Sequence, residues 1–205
     1  MRTAVPNVLA DRLDHINQAT YRILWSPERL TAEYCQRSLQ CIEADGEINF
    51  SSPCADMGFL CAHSLDQIGL KAVLVLAFVE RPWRPIKFQC NVEVMIDGLN
   101  YVIGFSESAI HVFQGEVVPT RHRWAIFRQE LHRENAQETS FLEHFHEDGL
   151  HGLKNLYPDY DWEADVRWHQ RRNRRWRFHW TRLRTQHKKG STVYSGIRCW
   201  TPKGC

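Results

Sequence analysis

The sequence predicts an α+β fold in which N-terminal helices precede an antiparallel β-meander, the whole followed by a helical, basic C-terminal extension. Three observations predict it. Up to about residue 70 the apolar residues recur at helical spacing; from Ala72 the period shortens to that of strands; and beyond residue 166 acidic side chains disappear. A length of 205 residues with 43% hydrophobic content is enough for one domain to bury its own core without cross-links.

The elements follow in order. Asp11 to Trp25 carries Leu13, Ile16, Tyr21 and Leu24 at near-helical spacing. Ser26-Pro27-Glu28 then has an N-cap residue followed by proline at the first helical position, and Leu30, Tyr34, Leu39 and Ile42 continue that second helix to Asp45-Gly46. A third start lies at Ser51-Ser52-Pro53-Cys54. From it Met57, Leu60, Cys61, Leu65 and Ile68 form one stripe that stops at Gly69.

Ala72 to Val79 is a continuous apolar run of strand length. Phe88 to Ile96 alternates, Asp97-Gly98 is a hairpin signal, Tyr101 to Phe105 is the return strand, and Ala109 to Phe113 adds another. After Pro119, Trp124, Phe127 and Leu131 return to helical spacing, and a His- and Glu-rich stretch spans 140–158. In the last segment Trp162, Val166, Trp176, Trp180 and Leu183 share about 100° of a helical wheel. A strand through Trp176, Phe178 and Trp180, turning at Lys188-Lys189-Gly190 into Thr192–Trp200, competes beyond Arg172. The division expected is a core over residues 8–118 and a helical extension over 119–205 packed on it.

Composition narrows the class. No run of 18 apolar residues exists, so no membrane span is expected, and no secretory signal pattern opens the chain. Seven cysteines without a C-x-x-C pair are expected to be reduced thiols in a cytoplasmic setting. Residues 166–205 hold twelve Lys or Arg and no Asp or Glu, leaving 14 basic against 24 acidic side chains in residues 1–165. Such a tail meets either its own acidic body or an external polyanion. Nucleic acid, contacted by residues 167–189 with Arg171, Arg174, Arg175 and Arg182 opposite the tryptophan stripe, is the external candidate. No cofactor is expected, since the glycines are too scattered for a phosphate loop. No metal is expected either: Glu143-His144-Phe145-His146-Glu147-Asp148 has ligand chemistry but lacks H-E-x-x-H spacing, so a solvated acidic turn is favoured.

Cys54 is the candidate nucleophile. In the first turn of a helix, free backbone N–H groups stabilise a thiolate and can hold an oxyanion. Its helix leads through Ile68-Gly69-Leu70-Lys71-Ala72 into a strand and then QCNVEVMIDGLNYVIGF at 89–105. Over roughly residues 50–106 this order resembles the transglutaminase-like branch of the papain-like cysteine superfamily, and it is similar to arylamine acyltransferases of the same architecture. The resemblance implies a papain-like core and a cysteine attacking an amide or acyl centre of a protein or peptide substrate, as a protease or transferase. It also implies a histidine on the second strand and an aspartate on the third. Only the nucleophile matches. The histidine position falls on Gln89, or on Cys90 if register slips by one, and the aspartate position falls on Gly104. Neither glutamine nor glycine does that proton chemistry. Either the scaffold has lost its triad and serves as a protein-binding module, or a base comes from elsewhere, with His63, His111 and His122 nearest in sequence and His111 preferred.

Overall fold

In the computed structural model, which describes residues 5–18, 21–24, 26–49, 53–81, 84–106, 109–131, 137–156, 158, 160–173, 185–188, 191–195 and 199–200, the N-terminal stretch is less helical than its spacing predicts. Helix α1 (Asn7–Gln18) is followed by strand β1 (Tyr21–Leu24), so the apolar residues from Tyr21 onward belong to a sheet. The second expected helix is two: α2 (Pro27–Ala32) and α3 (Leu39–Asp45). Ser26 caps α2 by accepting the Arg29 N–H, and Ser38 caps α3 by accepting that of Cys41. The break between them passes through Cys35 at φ 57°. Arg37, just beyond it, is buried.

Strand β2 (Glu47–Asn49) lies parallel to β1 and leads to α4 (Pro53–Asp66), the helix expected from the Ser-Ser-Pro-Cys start. The meander is then built as expected from β3 (Ala72–Arg81), β4 (Arg84–Ile96), β5 (Leu99–Ser106) and β6 (Ala109–Gln114), with successive strands antiparallel. Asp97 and Gly98 both have positive φ, the pairing that a tight hairpin turn requires.

The helix expected around Trp124 is instead strand β7 (Arg123–Glu130), paired with β3 at the sheet edge. Leu76 lies opposite Phe127 and Phe78 opposite Trp124, with a bulge between. The bulge sets two residues of β7 against one of β3 between these pairs, giving a strand the i, i+3 spacing of a helix. That local irregularity made the pattern misleading.

The remaining elements are α5 (Gly149–Leu156), α6 (Trp162–Asn173), β8 (Thr185–Lys188), β9 (Ser191–Ser195) and β10 (Cys199–Trp200). Among the described residues, helix covers the first part of the basic extension. Its later part pairs β8 with β9, Lys188 opposite Ser191, as the competing strand reading had it for that hairpin. One sheet runs β7-β3-β4-β5-β6-β9-β8 and a smaller one β10-β1-β2. Residues beyond 119 thus supply strands at both ends of the large sheet, and the expected division at 118/119 cuts through one hydrogen-bonded unit.

Strand alternation gives the large sheet two faces. Leu74, Leu76, Phe78, Cys90, Val92, Ile103, Ile110 and Val112 join the main core, on which α1 and α4 pack with Leu9, Leu13, Met57, Phe59 and Leu65 fully buried. Each such side chain contributes about 1.5–3 kcal/mol relative to exposure. The opposite face carries a smaller cluster of Val75, Val102 and Val117. Glu93, buried on that face, accepts the Val117 N–H at 2.6 Å and pairs with Arg128 at 2.8 Å, which pins the loop after β6.

β4 outruns its neighbour: β5 pairs with it only from Asn91 to Ile96. Tyr160 occupies the bare edge, its hydroxyl accepting the Phe88 N–H at 2.8 Å. Trp162 then packs on Phe78, Phe88 and Tyr34, fastening the start of the extension to the core.

Candidate functional site

Cys54 stands in the first turn of α4, part-buried and packed against the main core, and Ser52, its expected N-cap, lies outside the described residues. Like the other cysteines with described side chains (Cys35, Cys41, Cys61 and Cys90), it is not in a disulfide. Residues 54, 58 and 61 share one side of the helix because 3.6 residues make a turn. That side meets β4 and β5 through a gap that only glycine allows. A Cβ on Gly58 would lie 2.6 Å from Cys90 Sγ and 3.7 Å from the Phe105 ring.

The groups opposite the candidate nucleophile's helix are therefore a thiol and a phenyl ring. Cys90 is fully buried, and burial together with the neighbouring thiols of Cys54 and Cys61 raises it well above the ordinary thiol range. Cys61, equally buried, is pushed up by desolvation. Both are shut away from dissolved reagents while enclosed.

Strand pleat separates the other expected residues from this place. Gln89 and Gly104 alternate with Cys90 and Phe105, so they face the opposite side of the sheet. Gly104 pairs with both Asn91 and His111, and a Cβ on it would lie 3.0 Å from Asn91 Oδ1. His111 lies between Ile110 and Val112, both buried in the main core, so its ring belongs to the face turned away from α4. The sheet stands between Cys54 and His111, which do not form a dyad here. Along the face that does meet α4, Cys90 on β4 and Phe105 on β5 both approach Gly58. The second register considered for the histidine position, Cys90, is the one that faces the helix. On that face β5 presents Phe105, one residue from the expected Gly104.

The remaining histidines are no nearer to that role. His63 is nine residues along α4, about 13 Å away by helical rise, and its Nε2 is shared by the Gln67 and Gln137 amides at 3.0 and 3.2 Å. His122 is exposed in the turn that leads into β7. Within the His- and Glu-rich stretch, His144 is buried edge-on against Phe59 with ring centroids 5.0 Å apart, whereas His146 lies over Gly152 and accepts the Asp148 N–H at 3.2 Å. The two rings serve different packing contacts. No group of three or more metal-ligating side chains occurs among the described residues.

A carboxylate that the sequence reading passed over lies close by in the chain. Asp56 is buried, accepts the Asn49 N–H at 2.8 Å, and pairs with Arg37 at 3.0 Å. Desolvation raises it to about 6 against the opposing pull of Arg37. Two residues along a helix turn the side chain by about 200°, so Asp56 faces β2 and α3 while Cys54 faces the large sheet. Its position in the first turn of a helix was the only signal available for it.

Arg37 also donates to the Glu47 carbonyl and to Asp45, and Arg29 bridges Glu33, Asp45 and Glu47. Of the candidate polyanion contacts, Arg171 is exposed on α6, while Arg174, Arg175 and Arg182 lie outside the described residues. At the start of the same helix Arg167 is held by Glu163 and Asp161.

Compared with family models, with characterised proteins and with solved structures, the chain matches none. No helix among the described residues is long and apolar enough to cross a membrane.

Proposed function

We propose that the chain is a binding module for a protein partner, built on a thiol-bearing helix-on-sheet scaffold that does not carry out cysteine-nucleophile catalysis. One observation carries this reading: the side chains opposite Gly58 on the Cys54 face of α4 are Cys90 and Phe105, and His111 is turned to the far side of the sheet. A nucleophile needs a base within hydrogen-bond reach and a group to orient that base. A buried thiol and a phenyl ring supply neither. On the transglutaminase-like resemblance, this is a scaffold whose proton-transfer positions have been filled by packing residues.

An unassisted thiol is only about 0.3% thiolate at pH 6, whereas one paired with an imidazolium is mostly ionised. Cys54 is therefore expected to take up iodoacetamide at pH 6 no faster than exposed Cys41, and activated acyl esters are expected to give no burst of acyl-enzyme. Selective, stoichiometric alkylation of Cys54 at that pH, or an acyl group found on it by peptide mapping, overturns the reading.

A second reading, in which the basic segment engages a polyanion such as RNA, is favoured by the ion pairs of the body. Glu33, Asp45, Glu47, Asp56, Glu93 and Glu130 are already paired with Arg29, Arg37, Arg128 and Lys71, which reduces what the body offers its own tail. Replacing Arg171, Arg174, Arg175 and Arg182 by serine tests it. Steeply salt-dependent retention on RNA should weaken and its salt slope flatten, while unchanged retention counts against these arginines.

A further inference from the structure

We propose that Cys54 and Cys90 form a reversible disulfide, made by exchange with a low-molecular-weight disulfide such as oxidised glutathione, that staples the first turn of α4 to β4. Three features of the fold lead to it. Gly58 lets the strand approach until the Cys90 sulfur rests against the helix backbone, 2.6 Å from where a Cβ would stand. Cys54 and Cys61 flank that point on the same side of α4, one turn before and one turn after it. Of the three thiols only Cys54 is part-exposed, while Cys61 and Cys90 are each 0% exposed.

Exposure sets the order of events. Of these three, a dissolved disulfide can meet Cys54 alone, so the first step is attack by its sulfur on one sulfur of glutathione disulfide. An S–S bond forms between Cys54 and glutathione, the glutathione S–S bond breaks, and the departing thiolate takes up the proton released by Cys54. In the second step the Cys90 sulfur attacks the Cys54 sulfur of that mixed disulfide. The Cys54–Cys90 bond forms, the second glutathione leaves, and it carries away the Cys90 proton. Two protein thiols are oxidised by two electrons, and one glutathione disulfide is reduced to two thiols. Cys61 is a poor alternative partner for Cys54: seven residues along one helix set their Cα atoms about 10 Å apart by rise, beyond disulfide reach of about 7 Å.

In the reduced chain Cys54 is available to a partner at the helix start. In the oxidised chain it is withdrawn and α4 is clamped to the sheet. The disulfide stands or falls apart from the binding reading, which fails only if an acyl group, or selective stoichiometric alkylation at pH 6, is found at Cys54.

The test uses the full chain, incubated with oxidised glutathione at pH 8 and digested without reduction. The expected product is a linked pair of peptides containing Cys54 and Cys90, two hydrogens lighter than their sum, with iodoacetamide labelling of Cys54 falling to background and returning after dithiothreitol. Cys90→Ser should halt at glutathione on Cys54, and Cys61→Ser should still form the link. Glutathione persisting on Cys54 in the unaltered chain, an unmodified Cys54, or a link from Cys54 to any other cysteine overturns the proposal. Mapping of the unaltered chain decides the matter even if Cys90→Ser fails to fold.

Discussion

Gly58 and Asp56 show how single residues set the geometry around Cys54. Alanine is the better helix former by about 1 kcal/mol, yet a Cβ at 58 would collide with Cys90 Sγ, a buried atom on a central strand. Overpacking of that kind costs about 1–3 kcal/mol. Gly58→Ala is therefore expected to lower the unfolding free energy by up to about 2 kcal/mol, and Gly58→Ala with Cys90→Ala to recover most of it. A denaturant-unfolding double-mutant cycle checks this, and additive losses would mean that the two positions do not touch. Asp56 is expected to give stability an acid-side rise. Its folded value of about 6 lies above its unfolded value of 3.8, so the native state holds the proton more tightly. The associated stabilisation is complete below the unfolded value and is lost as pH rises through about 6, with an upper bound of about 3 kcal/mol. Unfolding free energy measured from pH 4.5 to 7 should fall with pH through this group, and Asp56→Asn should remove that component of the slope. An unchanged slope in the variant would place the titration elsewhere.

At the scale of elements, the informative places are those where a strand has no partner of its own kind. β4 extends beyond β5, and the Tyr160 hydroxyl accepts an N–H that a neighbouring strand would otherwise take. Tyr160→Phe keeps the ring against Phe78 and Trp162 but leaves that buried N–H without its acceptor. A loss of about 1–3 kcal/mol is expected, together with faster amide exchange at Phe88. Protection unchanged at that amide would show that Tyr160 contributes packing alone. Element identity was legible in the sequence where local rules were unbroken. The Pro53 helix start, the Ala72 apolar run and the Asp97-Gly98 turn each led to the element expected. It was not legible where a non-local partner intervened. Tyr21–Leu24 continues a helical spacing but pairs in parallel with Glu47–Asn49, and Arg123–Glu130 mimics a helix through a bulge opposite β3.

For the molecule as a whole, the basic segment is part of the fold before it is anything else. β9 pairs with β6 and extends the large sheet, while β10 pairs with β1 in the small one. A chain ending after Asn173 keeps α6 but leaves the outer edges of β6 and β1 unpaired, and bare strand edges invite association. Such a chain is expected to lose several degrees of thermal stability and to self-associate on gel filtration; a monomer with unchanged melting would mean that the last strands are dispensable. The sequence by itself determined the α+β class, the order of helices then meander, the position of Cys54 at a helix start, and the segregation of charge, because each depends on residue type and short-range spacing. Only the tertiary structure decided which groups confront Cys54. A strand presents alternate residues to opposite faces, so a one-residue difference in register exchanges Gln89 for Cys90 and Gly104 for Phe105, and sends His111 to the far side. Register is set by pairing across the sheet and by the close approach at Gly58, and neither is written in the local sequence.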